Sequence, residues 1–156
     1  MRIVPLPPNA ELEKMLQGLV QREVRLRPAE TPPHTPVAVG LYRSDQPVQE
    51  LAVLFELPLA GSLAASLTLV PPGAVKEDVE KGMLEESLRE NLAEVMNVLS
   101  RFVSMSGRRF GLVKHWCPPE VPDPAVVKAA LSSDETRVVT VDVPGYLGGV
   151  MAFDTL

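Results

Sequence analysis

Cysteine is nearly absent from the chain. Cys117 stands alone, so no disulfide can close within it, which suits a reducing compartment. No apolar run reaches the length needed to cross a bilayer, because Pro or charge breaks the longest candidates. The opening MRIVPLPPNAE has no apolar core of signal-peptide length. A cytoplasmic protein that does not enter the membrane is therefore expected. Positive charge is in deficit: 15 Lys and Arg against 20 Asp and Glu give a formal charge of −5, and no basic cluster overrides it, which argues against a nucleic-acid surface. His34, His115 and Cys117 are too scattered for a metal site. His115 and Cys117 would share one face of a strand and read as its packed end. The familiar catalytic signatures are missing too: there is no Gly-x-Ser-x-Gly elbow, no phosphate-binding Gly-rich loop and no His-Glu-x-x-His. Gly145, Gly148 and Gly149 around Tyr146 read as turn geometry.

What is present is enough for a core. Apolar residues make up 46% of 156 positions, which suits one domain over residues 1–156, with 1–22 as an N-terminal extension and helix. Met1–Pro8 reads as extended. Asn9 is placed to cap a helix running to about Arg22, in which Leu12, Met15, Leu16 and Leu19 share a face. Val24–Arg27 alternates as a strand, and the Pro-rich 28–36 is a loop. Val37–Tyr42 and Gln49–Leu57 form a hairpin across the turn residues Ser44–Pro47. Leu59–Leu69 fits either a short helix or a strand. Phe110–Trp116 is a strand, Ala125–Leu131 a short helix, and Arg137–Val143 with Gly148–Asp154 a terminal hairpin. Paired strands with helices between them indicate α+β, a largely antiparallel sheet with helices packed against it.

The longest stretch without Gly or Pro, Gly82 apart, runs from Glu77 to Ser106 and predicts one long helix centred on Leu84–Val103. Leu84, Leu88, Leu92, Val95, Leu99 and Phe102 recur at helical spacing and predict a buried stripe. Glu86, Glu90, Glu94, Asn97 and Arg101 form a second, polar stripe. Carboxylates at this spacing repel by a few tenths of a kcal/mol per pair. Arg89 is placed to relieve Glu85 and Glu86. Such a row is either solvated or docked by something positive.

Within the polar stripe, Glu90, Glu94 and Asn97 are followed by Pro118 and Pro119. This resembles the signature helix of the CheC/CheX/FliY family of chemotaxis phosphatases. There, Asp or Ser is followed by Glu, then by Asn, and about two dozen residues later by Pro. The order of elements over roughly residues 20–156 is similar to a CheX-like member with a single signature. The resemblance implies a CheX-like α+β fold and a CheY-like response regulator as partner, with its aspartyl phosphate as substrate. Asn97 would position the attacking water, and Glu94 would pair with a regulator lysine. Glu90 and Arg101 would be partner-binding residues. The protein would need no cofactor of its own, since the regulator supplies Mg²⁺. Relatives pair through strands, which implies a homodimer. Where family members carry small residues after the signature Asn, this chain has Arg101 and Phe102, so Arg101 is expected to hydrogen-bond or crowd Asn97. Two other readings stand beside the phosphatase: a non-catalytic binding or dimerisation module in two-component signalling, and an unrelated small α+β domain whose Glu94 and Asn97 are merely solvated.

Overall fold

The computed structural model describes residues 6–45, 47–105 and 107–156. Residues 1–5, Gln46 in the first hairpin turn and Ser106 at the expected helix end lie outside the described residues.

Helix α1 spans Asn9–Val20 and buries Leu12, Leu16 and Val20. Asn9 is its first residue rather than its cap. Pro8 occupies the cap position without a side-chain bond, and the Asn9 side chain instead accepts from Arg137 at 3.4 Å. Strands β1 (Arg25–Pro28), β2 (Val37–Asp45) and β3 (Val48–Glu56) follow. The β2–β3 hairpin is longer than expected, with Ser44 and Asp45 still in the ladder.

Leu57–Leu67 forms helix α2, resolving the ambiguous segment as helix. Pro58 sits in its first turn, where its missing N–H costs nothing. The helix is apolar or small all round because nearly every face is covered. The Ser62 and Ser66 hydroxyls donate back to the carbonyls of Pro58 and Ser62, which satisfies them in this setting.

The long segment is two helices, a correction to the single one expected. Helix α3 spans Pro72–Lys81 and ends at Gly82, whose φ of 74° is the left-handed stop that Gly accepts most readily. Helix α4 spans Glu86–Ser104. Leu84 is buried just before it begins. Strand β4 (Gly111–Trp116), helix α5 (Pro124–Leu131), and strands β5 (Thr136–Asp142) and β6 (Gly149–Thr155) complete the chain.

The six strands form one antiparallel sheet in the order β1-β5-β6-β3-β2-β4. Helices α1 to α4 supply the core on one face, with Tyr42, Phe55, Val139, Val141 and Phe153 pointing into it. On the other face Val37, Val39, Leu41, Leu54 and Trp116 gather with Ala130 of α5. β2 and β3 are therefore buried on both sides, which is why they read as nearly continuous apolar runs. The terminal hairpin lies inside the sheet, with β5 paired to β1 and β6 to β3.

Candidate functional site

The candidate site is built on α4. Its start is fixed from outside. The buried Asp78 of α3 accepts the Glu85 N–H at 2.9 Å, and the Pro118 carbonyl accepts the Leu84 N–H at 3.1 Å. These bonds satisfy donors near a helix start that has no side-chain cap of its own. Its buried stripe comprises Leu88, Leu92, Val95, Met96, Leu99, Phe102 and Val103. Phe102 packs against Phe153 of β6 with ring centroids 5.4 Å apart. Asn91 donates to the Ala64 carbonyl at 3.0 Å and to Thr68 Oγ1 at 2.9 Å, tying α4 to the end of α2. After the helix, Ser104 Oγ accepts from the Phe110 N–H at 2.9 Å and steers the chain into β4.

Glu90, Glu94, Asn97 and Arg101 are all exposed on the opposite side of α4. Residues three and four apart on a helix have Cβ atoms about 5–6 Å apart, so Glu94 and Asn97 stand side by side and point outward together. Among the described residues, neither side chain makes a hydrogen bond or an ion pair. The Ser100 hydroxyl bonds the Asn97 main-chain carbonyl at 2.6 Å and leaves the amide of its side chain open.

Two expectations are corrected here. Arg101 forms no hydrogen bond to Asn97 among the described residues. Phe102 is fully buried beneath the helix, as its place in the apolar stripe predicts, and takes no part in the surface. Nor does Arg89 pair with Glu85 or Glu86: it is half-buried, and its Nε is a buried donor with no partner among the described residues. Glu86, Arg89 and Glu90 instead border a shallow depression with His115 and Glu120. Cys117 is buried, and burial pushes its thiol up to about 12, so it is an inert core group.

The arrangement offers one carboxylate beside one primary amide on an open helix surface. An amide can donate to one group and accept from another at once, so it can orient a water molecule without a general base. Tyr42 and Asn91, which hold this helix in place, were not legible as site residues. Tyr42 sat in an ordinary strand run and Asn91 between the two stripes, and only the fold brings them to α4.

No protein-family model matches the sequence, and no curated protein matches it. Solved structures do. FliM from H. pylori, in its complex with SpeE, aligns over 93% of this chain and 80% of its own at a TM-score of 0.66 and 8% identity. CheX from Borrelia burgdorferi, in a complex with CheY, BeF3 and Mg, aligns over 91% of this chain and 90% of its own at 0.60 and 13% identity. The chemotaxis protein CheX from Vibrio vulnificus aligns over 95% and 93% at 0.55 and 12% identity. These likenesses are of fold. At such identities they carry the architecture alone, and the chain has the CheC/CheX/FliY fold, which the FliM middle domain shares.

Proposed function

We propose that the exposed face of α4 docks a CheY-like response regulator and hydrolyses its aspartyl phosphate. The observation that carries this reading is the pair Glu94 and Asn97, both exposed and one turn apart, on a helix whose other face is firmly seated. The fold adds support, because a CheX with the same architecture forms a complex with CheY, BeF3 and Mg.

In this reaction the regulator brings both the activated phosphoryl group and the Mg²⁺. Catalysis then reduces to placing a water molecule in line, and positioning carries most of the effect in phosphoryl transfer. Asn97 does this with its amide. Glu94 engages a lysine of the regulator and sets the register, while Glu90 and Arg101 make flanking contacts. The acidic row repels itself when free and gains when a basic surface covers it.

A second reading is a non-catalytic binding module in chemotaxis or flagellar signalling. It is favoured by the FliM likeness, whose TM-score of 0.66 exceeds that of the CheX complex and which is seen with a different protein partner, SpeE. A cytoplasmic location suits both readings. A homodimer also belongs to the proposal, although the terminal hairpin does not supply its edge, being paired on both sides.

The deciding experiment follows loss of label from phosphorylated response regulators of the same organism, with and without this protein. Faster loss with at least one regulator supports the phosphatase. Loss at each regulator's own rate throughout, with binding retained, leaves the module.

A further inference from the structure

Residues 107–116 read GRRFGLVKHW, with Arg108, Arg109, Lys114 and His115 and no Asp or Glu, in a chain of net charge −5. The fold gives this basic segment a position. β4 is the last strand of the sheet, hydrogen-bonded to β2 on one side and flanked by no strand among the described residues on the other. Backbone donors and acceptors along such an edge are a template for another strand. Where β4 begins, Arg43 of β2 joins Arg108 and Arg109 around an open concavity of about 960 Å³. Asp45 is the one carboxylate in its described lining. Two of the guanidiniums are held in place: Arg43 by Glu50 at 2.7 Å, and Arg108 by donating to Gln49 Oε1. Arg109 is exposed and makes no hydrogen bond or ion pair among the described residues.

We propose that the free edge of β4 receives an extended acidic segment of a partner protein, which adds as a seventh strand and seats its carboxylates among Arg43, Arg108 and Arg109. Main-chain hydrogen bonds would supply affinity, and the carboxylates register and choice of partner. A second copy of this chain is the poorer occupant. Pairing β4 with β4 sets two segments that carry Arg or Lys and no carboxylate side by side, and like charges across strands destabilise. The Lys114 side chain, which lies 5.3 Å over the Trp116 ring, puts on this edge a charge of the kind that keeps an edge from pairing with a like edge. An acidic strand reverses the sign of that charge interaction.

The test uses the full chain and a fluorescein-labelled Glu-Val-Glu-Val-Glu-Val peptide. Anisotropy gives affinity, and amide hydrogen exchange locates the contact. Binding should weaken with added salt and slow exchange at 111–116. Arg109→Glu should weaken it at least about tenfold, whereas Lys14→Glu, the same change of net charge on the exposed face of α1, should weaken it less than about twofold. No saturation up to about 1 mM peptide would overturn the proposal. So would equal losses in the two variants, or binding that leaves exchange at 111–116 unchanged. Protection of 111–116 that grows with protein concentration alone would assign the edge to a second copy and overturn it equally.

Discussion

The phenol of Tyr42 donates a 2.5 Å hydrogen bond to the main-chain carbonyl of Met96, the residue immediately before Asn97. Gly40, two residues earlier on β2, leaves room for it: a Cβ there would lie 3.2 Å from the Tyr42 ring and 3.5 Å from the Met96 sulfur. The sheet thus grips α4 directly behind the candidate amide. Tyr42→Phe should lower stability by about 1 kcal/mol at pH 8 in urea melts. Burial pushes the Tyr42 phenol far up, so the folded protein keeps a proton that the unfolded chain loses above about pH 10. A folded pKa above the unfolded one means stability that is complete below the unfolded value and is lost as pH rises. The difference between wild type and Tyr42→Phe should therefore shrink above about pH 10. A constant difference from pH 8 to 11, about one unit past the free phenol, would show that the phenol titrates freely.

Asn97→Ala should remove most of any acceleration of regulator dephosphorylation while leaving binding nearly intact, because the amide acts on a water present only in the reacting complex. Glu94→Ala should instead weaken capture of the regulator. Arg101→Gly should leave the rate at saturating regulator within about twofold, since Arg101 makes no bond to Asn97 among the described residues, should weaken capture through the lost flanking contact, and should cost roughly 1 kcal/mol of helix stability. Dephosphorylation time courses at varied regulator concentration separate the three. Activity that survives Asn97→Ala would place the chemistry elsewhere.

Phe102→Ala and Leu92→Ala should each destabilise by about 2–5 kcal/mol, since both side chains are buried between α4 and the rest of the core. Phe102→Ala opens no extra room at the site, because Phe102 points at Phe153 and not toward Asn97. Chemical denaturation of the two variants is the check, and a loss under about 0.5 kcal/mol, the range of ordinary surface changes, would mean the wrong face is buried.

Gly61→Ala sets two effects against each other. Ala favours a helix over Gly by about 1 kcal/mol, yet a Cβ at Gly61 would lie 2.8 Å from Val75 Cγ1 and 3.2 Å from Leu84 Cδ2. Overpacking of this kind costs about 1–3 kcal/mol, and neither neighbour is a long flexible side chain, so net destabilisation is expected in a thermal melt. A higher melting temperature would show that α3 can move away from α2.

Asp154 is buried opposite Thr136 in the β5–β6 ladder, and desolvation raises its pKa while the Thr136 hydrogen bond lowers it. With the folded value above the unfolded one, its contribution is complete at acid pH and is lost as pH rises through the folded value. Asp154→Asn removes that loss. The variant should gain on wild type between pH 4 and pH 7, roughly the span above the free carboxyl's pKa, in paired thermal melts. A gap that does not change with pH would show that the carboxyl ionises in the fold as it does in water.

The sequence by itself determined the α+β class, most of the strands and the two faces of the long helix, because hydrophobic period is a local property of the chain. It placed Glu94 and Asn97 on one stripe for the same reason. It ran α3 and α4 together because a lone Gly82 inside a periodic pattern does not announce a stop until its left-handed φ is seen. Tertiary structure alone decided that Asp78 and Pro118 fix the start of α4 and that Tyr42 holds it from behind. It alone brought Arg43 beside Arg108 and Arg109 at an open edge, although these residues are more than sixty positions apart and no window of sequence joins them. Contacts of that kind depend on the strand order, in which β4 lies against β2 rather than against its neighbours in sequence.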